Sequence, residues 1–230
     1  MAEDGKAPAG AAVRARLWDG PTRIVHWGIV ILIAFSWWSA KIGKNMEWHR
    51  WSGYGVLGLI LFRLMWGFVG SWTARFSSFV RGPAATLAYI KTLPSRKHAD
   101  MPGHNPVGAL SVLAILAAIV TQVTTGLFSV DIDGIESGPL SDKVSFDTGR
   151  VFAKVHAWSF SVIEILIAVH IAAVVFYLTY KRSNLVAPMI TGRRLFSADP
   201  GLEFAPLWRA IVVALVAGGA TWFIMKGLRL

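Results

Sequence analysis

The sequence predicts an all-α integral membrane protein with five spanning helices. Hydrophobic residues make up 54% of the 230, and the mean hydropathy is +0.52. Charged residues are only 16%, against roughly 25% in soluble domains. Five apolar runs, at about 24–40, 51–72, 106–130, 151–180 and 206–225, each approach the ~20 residues that a spanning helix needs.

The first run has a helix start in DGPTR, with Asp19 or Gly20 as cap and Pro21 in the first turn. The second begins around His49. The third is opened by Asn105 as cap and Pro106 in the first turn. The fourth is apolar but carries His156, Glu164 and His170, and the fifth contains AGGA at 217–220. The longest connection, 73–105, is polar and basic apart from a short apolar turn at 87–90, so no soluble domain fits between the spans.

Residues 1–17 begin acidic and are rich in Ala and Gly, which predicts a disordered arm. The first run leads into SWWSAKIG rather than a small-residue cleavage site, so it is not expected to be a cleaved signal peptide. No repeat of 20–50 residues and no phosphate-binding glycine loop is present. Cysteine is absent, which excludes disulfides, iron–sulfur ligation and thiol-attached haem. A bound metal must use His, carboxylate or Met.

The net charge of +10 would suggest nucleic acid in a soluble protein, but here its distribution matters more. Lys6, Arg14, Arg16 and Arg23 precede or open the first span. Arg75, Arg81, Lys91, Arg96 and Lys97 lie in the second loop, and Lys181, Arg182, Arg193 and Arg194 in the fourth. The third loop holds Asp131, Asp133, Glu136, Asp142 and Asp147 against Lys143, Arg150 and Lys154. The positive-inside rule makes the N-terminus and the even loops cytoplasmic, and five spans put the third loop and the C-terminus in the periplasm.

Four of the six histidines fall at or within a span. His156 and His170 are fourteen residues apart on one helix; at ~100° and 1.5 Å per residue they share a face to within about 40° and stand roughly 21 Å apart. Threading the topology sets His49 level with His156 on the periplasmic side, and His26 level with His170 on the cytoplasmic side. One histidine alone is explained by a hydrogen bond to a neighbouring helix. Cross-helix pairs at two depths are what two bis-histidine b haems require, since a planar macrocycle takes one axial nitrogen from each side. Zinc would ask for a third or fourth ligand at each level. His98 and His104, in the basic second loop, are expected at the surface.

Gly53 follows His49 by one turn, where a missing side chain would admit a porphyrin; ordinary small-residue packing is the competing account. Arg63 lies fourteen residues after His49 and so at the depth of His26 and His170. It can neutralise a propionate there or snorkel to the inner surface. Glu164 is open between pairing with Arg63, carrying protons for a quinone, and sitting protonated against the third span.

With these residues in view, the chain resembles the bacterial cytochrome b561 family, which includes the b-type cytochrome subunits of nickel–iron hydrogenases. The resemblance runs from about Trp18 to Arg194. It rests on WDGPTRIVHW around His26, WHRWSGYGVLGLILFRLMWGFVG around His49, RFSSFVRGP at 75–83, GHNPVG at 103–108, the H-x13-H pair, and SNLVAPMITGRR at 183–194. It implies a four-helix transmembrane core binding two non-covalent b haems through His26, His49, His156 and His170, in a respiratory protein of the inner membrane. It further implies electron transfer between a periplasmic redox partner and quinone. On this division residues 18–195 form the di-haem domain, and 196–230 a linker and an additional C-terminal helix. That helix, with its AGGA, is expected to pack on a partner subunit or a second copy. Glu164 stands where relatives are expected to be apolar.

Three functions remain in play. The first is an electron-transfer cytochrome b served by a periplasmic c-type cytochrome or a hydrogenase-like enzyme. The second is a stand-alone superoxide-to-quinone oxidoreductase, which a basic funnel at Lys41, Lys44 and Arg50 would favour. The third is a membrane anchor for a peripheral enzyme. The acidic third loop favours a docked basic protein over a small anion. The proposed topology is tested by reporter fusions: a periplasm-dependent reporter should be active when fused after the C-terminus or in the 131–147 loop, and silent in the 73–105 loop.

Overall fold

In the computed structural model, which describes residues 12–96, 101–133 and 136–229, five helices are long and apolar enough to cross a membrane. In chain order the elements are β1 (Val13–Arg16), α1 (Gly20–Lys41), α2 (Met46–Val69), α3 (Phe76–Phe79), α4 (Pro83–Ile90), α5 (Pro106–Phe128), α6 (Phe146–Thr179), α7 (Val186–Thr191), β2 (Arg193–Phe196) and α8 (Leu207–Met225). The spanning helices are α1, α2, α5, α6 and α8. The protein is thus a multi-pass membrane protein whose core is four helices with a fifth added.

Capping residues fix where four of these helices begin. Asp19, Asn45, Asn105 and Ser145 each accept a hydrogen bond from the backbone N–H three residues on, at Thr22, Trp48, Gly108 and Thr148. Each side chain thereby satisfies one of the donors that a first turn leaves open. Pro21 and Pro106 sit in first turns where no N–H is required.

α2 is the most enclosed helix, packing on α1, α5 and α8, while α6 packs chiefly on α5. One apolar cluster joins Val56 and Ile60 of α2 to Leu116 and Ile119 of α5 and Ile163 of α6. A second joins Val25, Phe62 and Trp66 to Ala210, Val213 and Ala217. The Ala217 edge of the AGGA segment therefore faces α2 of the same chain, and Gly58 meets Thr221 there. The remaining faces expose large apolar side chains such as Ile165, Val169 and Leu215, as lipid-facing helices do. Trp37, Trp38, Trp48 and Trp51 cluster, exposed, where α1 meets α2, a position suited to the bilayer interface.

The two ends of the bundle differ. At one, which we term the strand end, β1 pairs antiparallel with β2, Val13 opposite Phe196 and Arg16 opposite Arg193. The disordered arm expected over residues 1–17 therefore does not extend through Val13–Arg16; residues 1–11 lie outside the described part. A four-residue strand whose partner is some 180 positions away leaves no local signal. Gly192, at φ +78°, ends α7, and its carbonyl accepts from Leu17 and Trp18. A side chain on it would meet the Trp18 carbonyl at 2.9 Å.

This end is also tied together by Arg23 donating to the Ile190 carbonyl at 2.5 Å and by Trp27 to that of Met189 at 3.2 Å. Thr73 donates to the Leu17 carbonyl at 2.9 Å. Lys181, 6% exposed, donates to the carbonyls of Thr92 and Ser95. The basic segments of the N-terminus and the second and fourth loops thus gather at one end. The acidic third loop lies at the other, the loop end, where Arg50 pairs with Glu136 and Arg229 with Asp142 at 2.5 Å.

Asp19 is 2% exposed. One of its oxygens caps α1 at 2.8 Å from Thr22 N, and the other accepts the Trp66 indole N–H at 3.0 Å. Asp19→Ala removes the cap and strands a buried donor, and is expected to cost about 2–4 kcal/mol. Asp19→Asn keeps the cap but sets an amide N–H₂ against the indole, and should cost about 1–3 kcal/mol. Unfolding of the purified protein by denaturing-detergent titration measures both.

Candidate functional site

The helices bring His49 and His156 together near the loop end. Their ring centroids are 5.9 Å apart and the planes are nearly perpendicular, at 89°. His49 Nδ1 lies 3.0 Å from the Ser36 carbonyl, and His156 Nδ1 lies 2.8 Å from the Gln122 carbonyl. A carbonyl can only accept, so an Nδ1 bonded to it carries the proton and in the neutral ring Nε2 holds the lone pair; the Ser36 hydroxyl oxygen lies equally close to His49 Nδ1, at 3.0 Å. The Gln122 amide agrees: its oxygen accepts from Ser159, and its nitrogen lies 3.1 Å from His156 Nε2 as donor.

Between the helices at this level is a cavity of about 520 Å³. Ser36 of α1, His49 and Gly53 of α2, Gln122 and Gly126 of α5, and His156 and Glu164 of α6 line it, together with the 136–139 segment of the third loop. A side chain on Gly53 would meet nothing within 4 Å, so the position opens on the cavity rather than on a neighbouring helix. Glu164 is exposed on the cavity wall. It forms no ion pair with Arg63 among the described residues. Arg50 at the cavity rim is engaged by Glu136, so its charge is balanced by the acidic loop.

His26 and His170 stand near the strand end, within electrostatic range of each other. His26 Nδ1 is buried and without a partner. Arg63 belongs to the same cluster: it is 7% exposed, its guanidinium lies over the Phe76 ring at 5.2 Å, and its Nη1 has no partner. It does not snorkel to the surface.

His104, half-buried rather than exposed, corrects the expectation of a surface residue. Its ring packs against both Trp18 and Phe79, with centroids 4.9 and 4.7 Å away, and its buried Nδ1 has no partner. Burial pushes its pKa down to about 3, and nearby Arg63, His170 and His26 act in the same direction. The physical reason is the anchoring of its loop. Asn105 caps α5 through one side-chain atom and donates to the Tyr177 hydroxyl at 2.9 Å through the other. His98 lies outside the described residues.

Four contributors were not singled out from the sequence: His104, Gln122, Gly126 and the Ser36 carbonyl. Gln122 and Gly126 carry a signal, a polar residue and a glycine one turn apart on the same face of an otherwise apolar run. A carbonyl carries none. Among the described residues no three His, Asp or Glu side chains converge as a metal-binding group.

Fold and site define a multi-pass helical membrane protein with imidazoles facing one another across its helices. A family model described as prokaryotic cytochrome b561 matches residues 17–192, most of the chain, and the chain belongs to that family. The family's role is transmembrane electron transfer with b-type haem. No curated protein and no solved structure matches the chain.

A Cβ on Gly126 would approach the His156 ring to 2.9 Å. Gly126→Val is therefore expected to displace that imidazole from the Gln122 carbonyl and to cost about 1–3 kcal/mol through overpacking. Thermal unfolding in detergent reads the loss.

Proposed function

We propose that the protein is a transmembrane electron-transfer cytochrome b holding two haems, one between His49 and His156 and one between His26 and His170. The observation that carries this reading is the state of the His49 and His156 rings. Metal-bound histidines donate their second N–H to a carbonyl or carboxylate, which fixes the tautomer and raises ligand basicity. Both rings do so here. The two rings stand 5.9 Å apart beside the cavity, so His49 and His156 are the residues that would hold a metal-centred group there. The open space beside Gly53 supports a flat group at that level.

When bound, each haem supplies a reversible one-electron change at iron. The chain's own residues do the rest. α6 carries one ligand of each pair and sets their spacing. The backbone carbonyls of Ser36 and Gln122 orient the imidazoles at the loop end. Apolar side chains such as Val56, Ile60 and Ile163 exclude water between the two levels. Arg63 offers a buried positive charge to a propionate at the strand end.

In this reading the basic strand end is cytoplasmic and the acidic loop end periplasmic, so the C-terminus is periplasmic. Electrons pass between membrane quinone and a periplasmic partner. The acidic third loop suits a basic protein surface such as that of a c-type cytochrome, and the Arg50–Glu136 pair leaves little positive field to draw in a small anion.

Replacing each of the four histidines with Ala and counting bound haem tests the assignment. His26→Ala and His170→Ala should remove the same haem, and His49→Ala and His156→Ala the other, each leaving about half the reduced b-type absorbance. Loss of different haems within a pair, or wild-type protein with no b-type spectrum, would sink the reading.

A further inference from the structure

We propose that His104 and Arg63 together form a carboxylate-binding pocket that holds a propionate of the haem between His26 and His170, with His104 as a second, neutral donor beside the guanidinium. The inference rests on the reading above and adds a residue from outside the spanning helices to it.

Two buried polar nitrogens without partners, Arg63 Nη1 and His104 Nδ1, belong to side chains within electrostatic range of each other and of His26 and His170. Aromatic rings wall them in: Phe76 under the guanidinium, Trp18 and Phe79 against the imidazole. A buried imidazole nitrogen and a buried guanidinium nitrogen left without partners are each strongly unfavourable. Asp19 lies within electrostatic range of Arg63, but both its oxygens are taken, by Thr22 N and the Trp66 indole.

Water would satisfy an N–H without balancing the charge. A carboxylate does both, since it accepts only, at two oxygens, and is negative. His104 is held for this role. Asn105 beside it is fixed by the α5 cap and by Tyr177, and Phe79 is 4% exposed.

The test uses the full-length chain in detergent, loaded with protohaem or with its dimethyl ester, in which the propionates can no longer be anionic. Bound haem per chain and the midpoint potential of the strand-end haem, identified by its loss in H26A, are measured for wild type, H104F, H104Q and R63Q. Phe fills the space against Trp18 and Phe79 without an N–H, whereas Gln restores a donor.

With protohaem, H104F should lower that haem's potential by about 59 mV, a tenfold change in the ferrous-to-ferric ratio of a one-electron couple. R63Q should lower it at least as far, H104Q should keep it near the wild-type value, and the other haem should not move. With the diester, wild type and H104F should coincide.

A potential and haem content unchanged in H104F with protohaem would overturn the proposal. So would a difference between H104F and wild type that survives with the diester, because that assigns His104 to packing or to a free anion. Should H104F fail to fold, wild type alone decides: strand-end occupancy must fall at least tenfold with the diester at limiting haem. If H26A and H170A remove different haems, the underlying assignment fails instead, so the two failures are distinct.

Discussion

The buried carboxylate of Asp19 is the contact on which the arrangement of the strand end depends. By capping α1 and accepting the Trp66 indole, it fixes where the first helix begins and where α2 must lie beside it. His26 follows Asp19 by two turns, and Arg63 precedes Trp66 by three residues. The one contact therefore sets the imidazole and the guanidinium at a common depth. Arg23 and Trp27, each hydrogen-bonded to an α7 carbonyl, carry the same registration to the segment after α6. In a bilayer the hydrophobic effect gives helices little reason to pack against one another, so polar contacts of this kind help fix their register.

Much of this was legible in the sequence because it is local. Run length and hydropathy mark the spans to within a few residues, and Asp19 and Asn105 mark helix starts by side-chain chemistry alone. The relation of His156 to His170 follows from helix arithmetic on a single element. What the sequence hid is long-range. β1 and β2 are too short to show periodicity. His104 sits in a polar, basic loop whose composition reads as solvent-exposed, and its burial is decided by Trp18 and Phe79, eighty-six and twenty-five residues away. The carbonyls of Ser36 and Gln122 are backbone atoms, present at every residue, so nothing in the sequence could single them out.

The two imidazole levels also differ in how completely the polar side chains beside the rings are satisfied. At the loop end both imidazoles have a carbonyl on Nδ1, Gln122 is engaged at its backbone and its amide, and Arg50 has Glu136. At the strand end His26, Arg63 and His104 each retain a buried polar atom without a partner. Folding alone gives no reason to keep three such groups together beneath aromatic walls, since an apolar replacement of similar volume removes the penalty. On the proposed assignment, a carboxylate held by Arg63 and His104 supplies the missing partner.

α6 connects the two levels. Its 34 residues span about 51 Å, longer than the ~30 Å hydrocarbon core, and it supplies one imidazole at each depth. On the proposed pairing the imidazoles opposite them come from different helices, His49 from α2 and His26 from α1. A tilt of α1 or α2 would thus open or close one pair while the spacing along α6 stayed fixed by the rise of a single uninterrupted helix. Distance between the levels and geometry within each level are set by separate elements. In the proposed reading, a partner docking on the acidic loop, which is joined to α2 through Arg50 and Glu136, would act first on the His49 side and leave the distance between the levels unchanged.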